Sequence, residues 1–183
     1  MLKVINSVYW HGFITKLSML KNIHWKSIFP AALTAALLFS FFTFFFILQA
    51  DYTSTWLLYL GNVFFIFTLA SFFIFFKNDA NDHGTASSTI FRGMVTTFTG
   101  ILMSVILVFI LLLIVMPGFI ESGTPSHVLQ GEPPAALEGK TNGLVFKVFM
   151  AAIVLNFFGG AIISVIFSVY HHNKSLNEMH HVL

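Results

Sequence analysis

Four uninterrupted apolar runs constrain this chain more than any other feature of its sequence. They cover residues 28–48, 56–76, 93–116 and 144–170. A helix needs about 20 residues to cross a hydrocarbon core about 30 Å thick, so each run is long enough. The strands of a membrane barrel would alternate apolar and polar residues, whereas blocks such as SFFTFFFIL are continuous. The runs therefore predict an all-α membrane protein with four transmembrane helices.

Composition excludes the soluble alternatives. Of the 183 residues, 57% are apolar and only 9% are charged, whereas soluble domains average about 45–50% and about 25%. So little charge cannot cover a water-exposed surface, which excludes a soluble enzyme and a separate soluble domain. The formal net charge of +2 gives no reason to expect nucleic acid as a partner. Outside the runs lie an N-terminal segment (1–27), a loop (117–142) and a C-terminal tail (171–183).

Orientation follows from lysine and arginine, which are retained on the cytoplasmic side of a membrane. With the N-terminus inside the cell, most basic residues lie in the cytoplasm: Lys3, Lys16, Lys21, Lys26, Lys77, Arg92 and Lys174. Lys140 and Lys147 remain outside. We therefore expect an integral protein of the bacterial cytoplasmic (inner) membrane, with both termini in the cytoplasm and residues 117–142 as its outer loop.

Residues 1–27 predict an amphipathic helix that lies in the membrane interface. Apolar and polar side chains gather on opposite faces of this helix: Leu2, Ile5, Tyr9, Phe13, Leu20 and Ile23 against Lys3, Ser7, His11, Ser18 and Lys21. Lys3 and Lys21 would attract anionic lipid, and Trp25 and Arg92 are further expected interface residues. The alternative is a connector that packs on the protein's own cytoplasmic face. We expect no signal peptide, because an apolar core with a cleavage site is missing.

Histidine and carboxylate side chains offer two weak candidates for a metal site. Asp79, Asp82 and His83 lie in the short polar link between the second and third runs, where such residues commonly form turns. The pairs His171–His172 and His180–His181 could chelate a transition metal through imidazole. All eight histidines lie outside the runs or at their ends, so none is placed to ligate a haem in mid-membrane. We expect neither a metal nor a cofactor.

The sequence also lacks a catalytic motif. Walker loops, dinucleotide glycine fingerprints and nucleophile elbows are missing. There is no cysteine for thiol catalysis, a disulfide or a Cys-held cluster. The outer loop contains Ser122, Ser126 and His127, but in no motif that pairs a nucleophile with a base. We therefore expect that the protein is not an enzyme.

Charge inside the membrane, the best sequence marker of transport, is almost missing. Lys147 is the only ionisable residue within an apolar run, and it lies about one turn from the outer end, where snorkelling satisfies it. The strongest polar groups that remain are Asn62 and Asn156, both placed in the outer half of the bilayer, where they could meet. An interhelical amide bond is worth about 0.6–2 kcal/mol, which favours a packing role. The alternative is a polar lining for a small neutral solute.

Small residues mark where helices approach closely. In the fourth run, Asn156, Gly160, Ser164 and Ser168 recur every four residues and therefore share one helix face. Such a stripe predicts a helix-packing seam. Gly100 and Ser104 form a shorter pair in the third run.

Four features follow one another along the chain: the polar link with Gly84, the helix start SSTIFRGMVTTFTGIL, the outer loop and the last span LNFFGGAIISVIFSVY. In this order of parts the chain resembles the small four-span membrane family catalogued as domain of unknown function 4199. The resemblance covers residues 28–174 and implies a four-span fold, with no activity, substrate or catalytic residue.

These observations favour a non-catalytic accessory or scaffold subunit of a larger membrane complex, with the lipid bilayer and other membrane subunits as its partners. The main alternative is a small transporter or channel for a neutral solute, formed by one chain or by an oligomer, with Asn62 and Asn156 in its path. An intramembrane enzyme comes third, because it needs a nucleophile or metal site that the sequence does not offer.

Overall fold

The computed structural model describes residues 25–75, 86–116 and 143–180. The described chain is almost entirely helical, in the order α1 (Trp25–Gln49), a 3-10 turn (Tyr52–Thr55), α2 (Trp56–Phe75), α3 (Ala86–Val115), α4 (Gly143–Met150), a π-helical segment (Ala151–Leu155) and α5 (Asn156–His180). Four stretches of it are long and apolar enough to cross a membrane: Trp25–Gln49, Tyr52–Phe75, Thr89–Val115 and Gly143–Tyr170. The prediction of an all-α chain with four such helices is confirmed, whereas the predicted N-terminal interfacial helix lies almost wholly outside the described residues.

Two helices extend further than the apolar runs. Helix α3 begins at Ala86, before the apolar run that starts at residue 93, and α5 continues to His180, beyond the run that ends at residue 170. An apolar run marks only the part of a helix that can lie in lipid, while main-chain hydrogen bonding continues into polar residues. The start of the predicted tail is therefore helical.

A tight turn joins α1 to α2. Ala50 has a positive φ of 47°, and its N–H donates to the Phe46 carbonyl at 3.0 Å, which ends α1. The Asp51 carboxylate then accepts a hydrogen bond from the Thr53 N–H at 2.9 Å and caps the 3-10 turn. The Ser54 hydroxyl donates to the Gln49 side chain across the turn. These bonds reverse the chain within a few residues, so α1 and α2 form an antiparallel hairpin.

The helices form a four-cornered bundle in which α1 packs against α2 and α3, and α5 packs against α3 and α2. Helices α2 and α3 face each other across one diagonal, where the rings of Phe65 and Phe73 reach Gly100 and Gly93. We call the end of the bundle that carries the 3-10 turn the turn end, and the opposite end the link end. Because α1 and α3 are both antiparallel to α2, they run parallel to each other.

The interior of the bundle is apolar and its outer surface is also apolar. Fully buried side chains include Phe39, Phe46, Phe65, Leu69, Val108, Leu112, Leu144 and Val148. Large apolar side chains are exposed on all four spans, among them Phe41, Phe67, Leu102 and Ile162. A soluble monomer rarely exposes so much contiguous apolar surface, whereas a lipid-facing bundle does so throughout.

Candidate functional site: a buried polar layer

Asn62 and Asn156 are both buried, and each is only partly hydrogen-bonded. The Asn62 Nδ2 donates to the Leu58 carbonyl at 2.7 Å, and the Asn156 Nδ2 donates to the Ala152 carbonyl at 3.2 Å. Both partners lie one turn back on the same helical span. Neither Oδ1 has a hydrogen-bond partner, so the two amides do not bond to each other. The contact that the sequence suggested between them is therefore not a hydrogen bond.

Two serine hydroxyls share this condition. Ser40 on α1 and Ser104 on α3 are buried, and the structure gives no hydrogen-bond partner for either Oγ. Together with Asn62 on α2 and Asn156 on α5, they place one unpartnered buried oxygen on each of the four spans. We call these four residues the polar layer.

The helix contacts bring the polar layer to one height in the bundle. A Cβ built on Gly61 would lie 3.3 Å from both the Phe39 carbonyl oxygen and the Phe42 Cβ, which aligns α2 with α1. A Cβ built on Gly100 would lie 3.7 Å from the Ala32 carbonyl oxygen, which aligns α3 with α1. Ile66 aligns α2 with Gly159, which lies in the first turn of α5. Counting along each helix from these contacts places the four residues at similar heights along the bundle axis, within about one helical turn or about 5–6 Å.

The chemistry of the polar layer is that of a neutral hydrogen-bonding site. Amide oxygens accept hydrogen bonds, and serine hydroxyls both donate and accept them. A buried polar group without a partner costs about 1–3 kcal/mol, so a small molecule that donates hydrogen bonds here would offset part of that cost. Water and small neutral solutes have this property, whereas an ion would find no opposite charge among the four side chains.

Between the polar layer and the link end, α3 and α5 approach closely. A Cβ built on Gly160 would overlap the Thr97 Cγ2, and a Cβ built on Gly93 would overlap the Ser164 Oγ. The hydroxyls here are satisfied within their own helices, because Thr97 donates to the Gly93 carbonyl at 2.9 Å and Ser164 to the Gly160 carbonyl at 2.7 Å. Ser168, one turn further, is also buried.

The predicted interface residues are placed as follows. Trp25 is the first residue of α1, and its side chain is exposed. Arg92 lies in the second turn of α3 and is half-buried, and its carbonyl accepts the Thr96 hydroxyl at 2.9 Å. Lys3 and Lys21 lie outside the described residues. The two predicted interface residues that lie in the described part of the chain are thus both at the link end, and their interface role stays a prediction.

Three features of this part of the bundle were missed by sequence reasoning. Ser40 lies in a phenylalanine-rich run, and a serine within such a run is the sequence signal that could have identified it as a buried polar residue. The π-helical segment Ala151–Leu155 leaves no recognisable mark in the sequence. The Lys147 Nζ lies 3.1 Å from the centre of the Tyr52 ring, a contact between residues far apart in the chain.

The candidate metal ligands cannot be compared with the structure. Asp79, Asp82 and His83 lie outside the described residues, and the side chains of the histidine pairs in the predicted tail are likewise not described. Among the side chains that the structure describes, in residues 25–75, 89–116 and 143–170, no three of His, Cys, Asp or Glu are grouped so that they could hold a metal ion.

Comparison with known proteins adds no family to this description. No protein-family model, no curated protein and no solved structure matches the chain. The resemblance to the family of unknown function 4199 therefore stays a prediction.

Proposed function

We propose that this protein is a non-catalytic, multi-pass membrane subunit that assembles with other membrane proteins. The observation that carries the proposal is the filled interior of the bundle. Phe65 is 0% exposed, and its ring lies so close to Gly100 that an added Cβ would be 2.9 Å away. Phe39 and Phe46 are equally buried. A polar path along the bundle axis would have to pass these rings, so the proposed role lies on the outer surface.

The third span supplies that surface. Only 22% of its most apolar window is buried within the chain, against 44% for each of the first two spans, although it is the most apolar of the four. Leu102, Ile106 and Leu113 are exposed along one face of α3. We assign this face to a neighbouring subunit in the cytoplasmic membrane. The charge distribution predicts that the termini of this chain lie in the cytoplasm.

Site-specific photo-cross-linking in the native membrane tests the proposal. A photoreactive phenylalanine analogue at Leu102, Ile106 or Leu113 is expected to give one discrete cross-linked protein, identified by mass spectrometry. The same analogue at Phe67, an exposed position on α2, is the matched control and is expected to give lipid adducts only. Native mass spectrometry in mild detergent should then show a fixed stoichiometry. Lipid adducts alone from all three α3 positions would contradict the assignment.

The polar layer favours a second candidate function, passage of a small neutral solute. Asn62→Leu and Asn156→Leu each remove an unpartnered oxygen, and the backbone carbonyls keep their helical hydrogen bonds. If the amides serve packing alone, these variants change thermal stability and leave permeability at the wild-type value. If the layer lines a path, permeability falls while stability is kept.

The measurement is stopped-flow light scattering of proteoliposomes with water, urea and glycerol as probes. Thr68→Val is the matched control, because the Thr68 hydroxyl already donates to the Phe64 carbonyl at 2.8 Å and lies outside the layer. A wild-type permeability no greater than that of empty liposomes would exclude this second function. Loss of permeability in the two Leu variants, with none in Thr68→Val, would establish it.

A further inference from the structure

An open groove of about 260 Å³ lies at the turn end of the bundle, between the start of α2 and the start of the fourth span. Tyr52 and Tyr59 line one wall, and Lys147, Met150, Val154 and Leu155 line the other. The groove therefore combines one cation and two phenol rings with an apolar wall. It is separate from the polar layer and from the exposed face of α3.

The ammonium group of Lys147 is held at the level of the turn. Its Nζ lies 3.1 Å from the centre of the Tyr52 ring, and Tyr52 begins the 3-10 turn that ends the hairpin. When an ammonium group lies over an aromatic ring, most of its N–H groups point away from that ring and can donate to another group. The described part of the chain supplies no carboxylate as an ion-pair partner for this ammonium. The neighbouring Tyr59 side chain is exposed.

The apolar wall runs from this cation toward the middle of the bundle. Met150, Val154 and Leu155 are all exposed. Leu155 is eight residues from Lys147, which corresponds to about 12 Å along the helix. The π-helical segment Ala151–Leu155 contains both Val154 and Leu155 and brings these consecutive residues to the same groove. If the four spans cross a bilayer, the cation lies at headgroup depth and the apolar wall lies among the acyl chains.

We propose that this groove binds an acidic phospholipid. The phosphate lies against the Lys147 ammonium and the Tyr59 hydroxyl, and an acyl chain follows Met150, Val154 and Leu155. The single cation accounts for the preference for a net negative headgroup. A free phosphate would use the same cation, but it would leave the apolar wall uncovered, so the lipid is the occupant that uses both parts. The proposal does not depend on a partner subunit or on solute passage.

Native mass spectrometry of the full chain in detergent tests the proposal, with phosphatidylglycerol and phosphatidylcholine of identical acyl chains added in separate titrations. Wild type is expected to bind one phosphatidylglycerol more tightly than phosphatidylcholine. Lys147→Gln should weaken phosphatidylglycerol binding about fivefold, and Lys147→Arg should retain it. Val154→Phe, which fills the groove without changing charge, should weaken binding of this lipid as well. Lys26→Gln removes an exposed lysine at the link end and should leave binding unchanged.

Inorganic phosphate in a parallel titration distinguishes the two sources of the anion. Displacement of the lipid by millimolar phosphate would overturn the lipid assignment in favour of a soluble phosphate ligand. Equal binding of both lipids, or equal binding by wild type and Lys147→Gln, would overturn it in favour of unspecific annular lipid. If Lys147→Gln fails to fold, as judged by circular dichroism, the contrast between Lys147→Arg and Val154→Phe decides, and equal binding by these two overturns the proposal.

Discussion

The two adjacent glycines of α5 face very different neighbours. A Cβ on Gly159 would meet the Ile66 Cδ1 and Cγ1, at the flexible end of a side chain that can rotate away. A Cβ on Gly160 would meet the Thr97 Cγ2 and Oγ1 and, at 2.9 Å, the Thr97 Cβ, which cannot move without its backbone. The close approach of α3 and α5 therefore depends on Gly160 far more than on Gly159.

Gly160→Ala is expected to destabilise the protein by about 1–2 kcal/mol, because overpacking outweighs the helix propensity that alanine adds. Gly159→Ala adds the same methyl group one residue away and should be neutral or slightly stabilising. Thermal unfolding in detergent, followed by circular dichroism, measures both. Adding Thr97→Ala to Gly160→Ala should recover part of the loss. Equal melting temperatures for the two alanine variants would contradict this account of the seam.

Ala50 is the other residue whose backbone makes a specific demand. Its φ of 47° is in the left-handed region, which an alanine adopts at a cost and a glycine adopts freely. Ala50→Gly is therefore expected to stabilise the protein by about 0.5–1 kcal/mol in chemical unfolding experiments. Ala70→Gly, inside α2, is the control and should destabilise by a similar amount. A loss of stability in both variants would argue against the left-handed turn.

At the scale of helices, the least predictable result is which helix packs against which. Sequence neighbours α2 and α3 face each other across a diagonal, while α5 fills the corner between them. Phe73 and Phe167 stack with ring centres 5.4 Å apart, which ties α2 to α5 near the link end. Helix α2 therefore packs beside α5, which runs parallel to it, and not beside α3, which follows it in the sequence.

Cysteine cross-linking tests this pairing, and the absence of native cysteine makes the result unambiguous. A Cβ on Gly159 would lie 3.9 Å from the Ile66 Cβ, within the range of about 3.5–4.5 Å found in disulfides. The double variant Ile66→Cys/Gly159→Cys is expected to oxidise readily, as seen by non-reducing electrophoresis and peptide mass spectrometry. Ile66→Cys/Gly160→Cys should oxidise poorly, because Gly160 faces Thr97 on α3. Similar yields from the two pairs would mean that the helices are arranged differently.

At the scale of the whole molecule, the bundle exposes apolar surface on every side and carries its basic residues at its ends. Lys26 and Arg92 belong to the link end, and Lys147 belongs to the turn end. The positive-inside rule, applied to all lysines and arginines of the chain, predicts that the link end faces the cytoplasm.

Labelling of single cysteines in intact cells tests this orientation. Thr53→Cys, at an exposed position in the 3-10 turn, is expected to react with a membrane-impermeant maleimide added outside. Leu183→Cys should react only after the cells are permeabilised. Reaction of Leu183→Cys and protection of Thr53→Cys in intact cells would show the opposite orientation.

Much of the candidate site was visible in the sequence, but its arrangement was not. Asn62, Asn156, Gly160 and Ser164 stand out because polar and small residues are rare in long apolar runs. Their partners could not be deduced, since four apolar helices of similar length pack in several orders with similar patterns. From the sequence, Asn62 and Asn156 could meet, but each amide nitrogen bonds to its own span, because a carbonyl four residues back is always within reach.

The sequence by itself determined the all-α class and the number of long apolar helices. Both follow from local properties, namely run length and hydrophobicity. Only the tertiary structure decided that α5 packs between α2 and α3, that four unpartnered oxygens share one level, and that Lys147 lies on Tyr52. The physical reason is that such contacts depend on how side chains from distant segments pack together. Apolar runs of similar composition do not specify this packing by their local sequence.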